Sequence, residues 1–154
     1  MSEELIVADG SKAEKYQTLY RQVMAVAEAE RDHIALMANI AAMLHQTFDF
    51  WWTGFYRVVD EELVLGPFQG PMACMRIGHA KGVCGTAWAE GRTVVVDDVD
   101  KFPGHIACSS LSRSEIVVPI RRNGVIIGVL DIDSRYLSTF DSIDQEWLER
   151  IVEQ

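Results

Sequence analysis

The chain has 154 residues, 49% hydrophobic and 24% charged, which is enough apolar material for the core of one ordinary domain. Its net charge is −9 and its longest cationic run is the pair Arg121-Arg122, so an electrostatic footprint for nucleic acid or an anionic membrane is excluded. The start "MSEELIVADG" lacks the basic and then apolar pattern of a signal peptide, and no apolar run approaches the roughly 20 residues of a membrane span. A cytoplasmic protein is expected, with one domain over 1–154 and a loose segment at 1–10.

From Ser11 to about Phe48, apolar residues recur at spacings of three and four: Tyr16, Leu19, Tyr20, Val23, Met24 and Ala27, then Ile34, Met37, Ile40, Ala41 and Leu44. This predicts helix, broken in two by the charged patch Glu28 to Asp32. "FWWTGFYRVVD" reads as a strand with Trp52, Gly54, Tyr56 and Val58 on one face, and "ELVLGPFQG" as its neighbour. "GVCGTAWAEGR" is expected to be a short helix entered through a glycine turn, followed by a buried strand in "TVVVDDV".

The stretch "FPGHIACSSLSRSE" suits neither helix nor strand, because Ser, Gly and Pro favour turns. After it, "SEIVVPIRRNGVIIGVLDIDS" places Asn123-Gly124 between two apolar runs, the dipeptide preferred where both central residues of a hairpin turn need positive φ. Ser142 with Gln145 resembles a capping box opening a last helix that carries Trp147, Leu148 and Ile151. Hairpins with helices at both ends of the chain predict an α+β fold, an antiparallel sheet covered by helices.

Three widely spaced cysteines, Cys74, Cys84 and Cys108, argue against a disulfide framework and leave burial, metal binding, hydrolysis or redox chemistry. Cys84, in "GVCGTA", is as compatible with packing as with chemistry. Cys108 sits among turn-forming polar residues, where a thiol is accessible and so able to react. His79 and His105 could join the cysteines on zinc, but His105 and Cys108 supply only one close pair. His105 could also serve as base to a cysteine hydrolase. Redox exchange ranks above both, since two thiols in loop contexts suit a nucleophile and a resolving partner.

Seven stretches carry a family resemblance: "WTGFY" at 52–56, "LVLGPFQG" at 63–70, "AC" at 73–74, "GVCGTA" at 82–87, "FPGHIAC" at 102–108, "SEIVVPI" at 114–120 and "GVLDIDS" at 128–134. In this order they resemble the free methionine-R-sulfoxide reductases, which are built on a GAF domain. The resemblance implies reduction of free methionine (R)-sulfoxide with Cys108 as nucleophile, Cys74 as resolving cysteine and Cys84 as auxiliary thiol. It also implies a substrate pocket of Trp52, Tyr56, Glu115, Asp131 and Asp133, no bound cofactor, a thioredoxin-like dithiol reductant and a homodimer. The chain departs from the family at Ser109, where Asp usually follows the nucleophile, and at Gly78 and Ala80, in place of the usual Pro and Gly. A GAF module that senses a small molecule or redox state without catalysis is the alternative.

Two physical expectations accompany this reading. Unbroken pairing from the Asn123-Gly124 turn would set Ser114 opposite Asp133 and turn Glu115 away from the aspartates, so a bulge near Pro119 or a longer loop is expected. Three carboxylates near Cys108 should hold its thiol protonated until a substrate ammonium neutralises part of their charge.

Overall fold

The structure, a computed structural model, describes residues 4–106, 108 and 110–153. Two helices open the chain, α1 over Lys12–Ala29 and α2 over His33–Phe48. Ser11 caps α1 in a capping box with Glu14, and Asp32 caps α2 by accepting from the Ala35 amide at 2.9 Å. Between them the Glu30 carboxylate accepts from the amides of Arg31 and Asp32. The charged patch therefore supplies both the stop and the new start. Of the first ten residues, Leu5 packs on the helices and Ile6 exchanges two hydrogen bonds with Gln22.

Six strands follow in an antiparallel sheet of order β3-β2-β1-β6-β5-β4. They are β1 (Trp52–Val59), β2 (Glu62–Gln69), β3 (Arg76–Ile77), β4 (Val94–Val96), β5 (Ser114–Arg122) and β6 (Val125–Ser134). The helix α3 (Gly82–Glu90) lies between β3 and β4, and α4 (Ser142–Ile151) closes the described chain. The expected fold class, helices on an antiparallel sheet, is what forms; the two-residue β3 was not foreseen. The Asn123-Gly124 turn has positive φ at both residues, 53° and 77°.

The cap of α4 differs from expectation. Asp141, not Ser142, is the N-cap, and its box partner is Asp144, not Gln145. Asp144 is selected because it is buried and does more than cap: Tyr16 donates to it at 2.5 Å and the Lys12 ammonium at 2.6 Å. The buried network joins the first helix to the last.

The two sheet faces bury different things. One carries Phe55, Ile116, Val118, Ile120, Leu130 and Ile132 against α1, α2 and α4. The other carries Trp52, Tyr56, Val117 and Val129 toward α3 and the cysteine-bearing loops. Among the described residues no helix is long and apolar enough to cross a membrane.

Candidate active site

The expected irregularity in the β5–β6 ladder is present. Arg121 and Arg122 pair with Ile126 and Val125, but Ile120 pairs with Gly128, so Ile127 is an extra residue on β6, one step beyond Pro119 on the facing strand. That single residue moves Glu115 opposite Asp133 and Val117 opposite Asp131. On the other flank of β6, Asp133 faces Trp52 and Asp131 faces Gly54. Trp52, Asp133 and Glu115 thus form one row across three strands. In the next row Asp131 stands between a glycine and a valine, with no polar neighbour opposite it.

Gly54 has a further role: a Cβ there would lie 2.5 Å from the Trp52 ring. Its absence lets the indole lie back over the strand, stacked on Phe68 at 5.3 Å and Tyr56 at 5.9 Å between ring centres. The indole N–H donates to the Pro71 carbonyl at 3.0 Å and the Tyr56 hydroxyl to the Cys74 carbonyl at 2.8 Å. Both aromatic residues therefore pin the loop that carries Cys74, in addition to walling the pocket.

Cys74 and Cys108 form a disulfide with their Cα atoms 5.5 Å apart, across 34 residues of sequence. Cys84 is free and buried on α3. The pocket beneath the disulfide is lined by seven of the eight expected site residues: Trp52, Tyr56, Cys84, Cys108, Glu115, Asp131 and Asp133. The eighth, Cys74, contributes through the disulfide. Ser109, the residue beside the expected nucleophile, lies outside the described residues.

Sequence reasoning missed Ser112, which donates to Asp133 at 2.7 Å. It also left His105 out of the substrate pocket, whereas the ring lines it with Nε2 3.9 Å from Glu115. The polar run 109–114 offered too many serines to single out one. Ala80, where the family usually has glycine, takes a left-handed φ of 60°. This is a strained geometry for a residue with a Cβ.

The charges are buried with the pocket. Glu115, Asp131 and Asp133 are each at most half-exposed, with Glu115 at 5% and Asp131 at 6%. Burial, reinforced by the charge of Asp131, pushes Glu115 and Asp133 well above the ordinary carboxylate range. Asp131 is also raised by burial, against the opposing pull of hydrogen bonds from Glu115 and Cys84. Burial and then Asp131 push the Cys84 thiol up, which keeps it protonated, and raise the Tyr56 hydroxyl. These shifts favour the protonated forms of Glu115 and Asp133 beside a charged Asp131. One oxygen of Asp131, Oδ1, is buried with no hydrogen-bond partner among the described residues. Such an atom is costly unless a ligand completes it.

As donors for a cation, Cys84, Glu115 and Asp131 each offer one atom within 4.8 Å of the others. The zinc set considered from sequence does not assemble: Cys74 and Cys108 are consumed by their disulfide, and His79 packs edge-on against Trp88.

A sheet with α1, α2 and α4 on one face, and on the other a pocket under α3 and loops, defines the class as a GAF domain. A family model described as GAF domain matches residues 30–154. The free methionine-R-sulfoxide reductase of Escherichia coli is 45% identical over 145 residues, covering 94% of this chain and 88% of that protein. GAF domain-containing protein A of Dictyostelium discoideum is 53% identical over 153 residues, covering 99% and 97%. The X-ray structure of free methionine-R-sulfoxide reductase from Neisseria meningitidis in complex with its substrate superposes with a TM-score of 0.97 at 50% identity, covering 99% of this chain and 92% of that one. The chain belongs to the free methionine-R-sulfoxide reductase family of GAF-domain proteins.

Proposed function

We propose that this protein reduces free L-methionine (R)-S-oxide to L-methionine. The observation that carries the reading is the Cys74–Cys108 disulfide over a pocket lined by three carboxyl groups, two of them buried. A disulfide is the end state of a two-electron reduction by a thiol pair, and a carboxyl such as Glu115, whose burial favours the protonated form, is an acid suited to the departing oxygen.

In the reduced protein the Cys108 thiolate attacks the sulfoxide sulfur. Glu115 supplies a proton to the oxygen, which passes to Cys108 as a sulfenic acid while methionine is released. The Cys74 thiol then attacks the sulfenic sulfur, forming the disulfide and expelling water. A thioredoxin-like dithiol returns both cysteines to thiols by exchange. Cys84, buried and free, supports the pocket wall and the Asp131 carboxyl.

Selectivity for the free amino acid follows from Asp131 and Asp133. Their oxygens, including the unpartnered Asp131 Oδ1, suit an α-ammonium, which a peptide-bound methionine lacks. The Trp52 face suits the sulfoxide's methyl group. A cytoplasmic homodimer completes the family reading.

The test is loss of free methionine sulfoxide with dithiothreitol, each sulfur isomer offered separately, with Cys108→Ser as control. Turnover of the R isomer alone, abolished in the variant, is expected; no turnover by the unaltered protein would leave a sensing module.

A further inference from the structure

The loops joined by the disulfide expose several large apolar side chains. Met72 and Met75, 89% and 74% exposed, flank Cys74 at two residues and one. Ile106 and Leu111, 39% and 52% exposed, flank Cys108 at two residues and three. The disulfide joins the two loops, and Met72 and Ile106 line the same pocket. Large apolar side chains are normally scattered singly on a surface. Here four collect about one S–S bond.

The chain on both sides of each cysteine is also short of acids. The segments 71–89 and 102–114 contain no Asp or Glu, although the chain has 23 of them and a net charge of −9. They carry Arg76, Lys81 and Arg113, all exposed, with Arg76 also 3.3 Å from Glu62 on the neighbouring strand. An apolar collar with a cationic rim therefore surrounds the disulfide of an acidic protein.

We propose that this collar is the docking surface for a protein dithiol of the thioredoxin class, one presenting its cysteines on an apolar face within an acidic surround. The inference rests on the reductase reading in taking the Cys74–Cys108 disulfide as one that cycles. Docking brings a partner thiolate onto one of the two sulfurs. An intermolecular S–S bond forms, and the intramolecular one breaks with the other cysteine leaving as thiolate. The partner's second thiol attacks the mixed disulfide, so the partner loses two electrons and this chain gains two, with two protons. The apolar collar supplies affinity, while the opposite charges steer encounter without adding much to it.

The test uses the oxidised protein and reduced thioredoxin, following the appearance of thiols at Cys74 and Cys108 rather than sulfoxide turnover, with dithiothreitol as the small-molecule comparison. Met75 and Leu111 do not line the pocket, so the Met75→Glu/Leu111→Glu double variant probes docking alone. Reduction by thioredoxin is expected to slow about tenfold or more, reduction by dithiothreitol to stay unchanged, and Met75→Leu to behave as the unaltered protein. Raising salt should slow the thioredoxin reaction alone. An unchanged thioredoxin rate in the double variant, or equal losses with both reductants, would overturn the proposal. Failure of sulfoxide turnover with dithiothreitol would count against the reductase reading instead, because the disulfide-reduction assay does not depend on it.

Discussion

Glu115 is subject to two effects of one sign: the sheet buries it, and a neighbouring carboxyl repels its charge. Both favour the protonated form, so its folded pKa lies above that in the unfolded chain. Activity that needs this proton is expected to fall as pH rises through the raised pKa, and Glu115→Gln should remove that limb while lowering kcat/KM about 10²- to 10⁴-fold. A pH–rate profile of both proteins checks it. Stability follows the same sign: the contribution is fully present below the ordinary carboxylate value of 4.5 and lost as pH climbs through the folded pKa. Urea midpoints for Glu115→Gln should therefore rise relative to the unaltered protein as the solution becomes more alkaline. Gly54 matters for the opposite reason, absence. In Gly54→Ala the new methyl meets Phe68 Cβ at 2.4 Å and the indole at 2.5 Å, so both rings of the stack must shift; KM should increase more than kcat falls, and about 1–3 kcal/mol of stability should be lost to overpacking.

At the scale of elements, one extra residue decides which groups meet. Without the bulge at Ile127, Glu115 would share a face with Ile116's present neighbours and not with Asp131 and Asp133. The need for an irregularity could be read from sequence, since the turn set one register and the acids required another. Its location could not, because Ile126, Ile127 and Val125 are equally good strand residues. The cap of α4 illustrates the same limit. Ser142 and Asp141 are both good N-caps, and the choice fell to Asp141 because Asp144 one turn on could be buried against Tyr16 and Lys12. Asp144→Ala should cost about 3 kcal/mol by urea unfolding, since it leaves the buried Tyr16 hydroxyl without its acceptor and takes from the Lys12 ammonium the shorter of its two carboxylate contacts. Asp141→Ala should cost about 1 kcal/mol, the worth of a cap.

Across the whole molecule, the disulfide ties the loop after β2 to the loop before β5 and closes 34 residues of sequence. Its reduction is expected to lower stability by about 4 kcal/mol on the chain-entropy relation, read as a shift in the urea midpoint with dithiothreitol. The helix pair, the β1–β2 and β5–β6 hairpins and the short α3 were all legible in the chain, because hydrophobic period, caps and the Asn-Gly turn act over a few residues. The motifs also marked the three cysteines and the five pocket residues as belonging together. Spacing alone left the cysteines open between burial, metal, hydrolysis and redox chemistry, since residues 34 apart reveal nothing of their distance in space. Ser112 and His105 entered the pocket only through the path of a loop with no periodic signal. The sequence by itself determined the elements, the overall acidity and the identity of the chemical groups. Only the tertiary structure decided that Cys74 meets Cys108, that Glu115 faces Asp133 and that burial raises the carboxyls' pKa values, because pairing, register and desolvation depend on which distant segments close over one another.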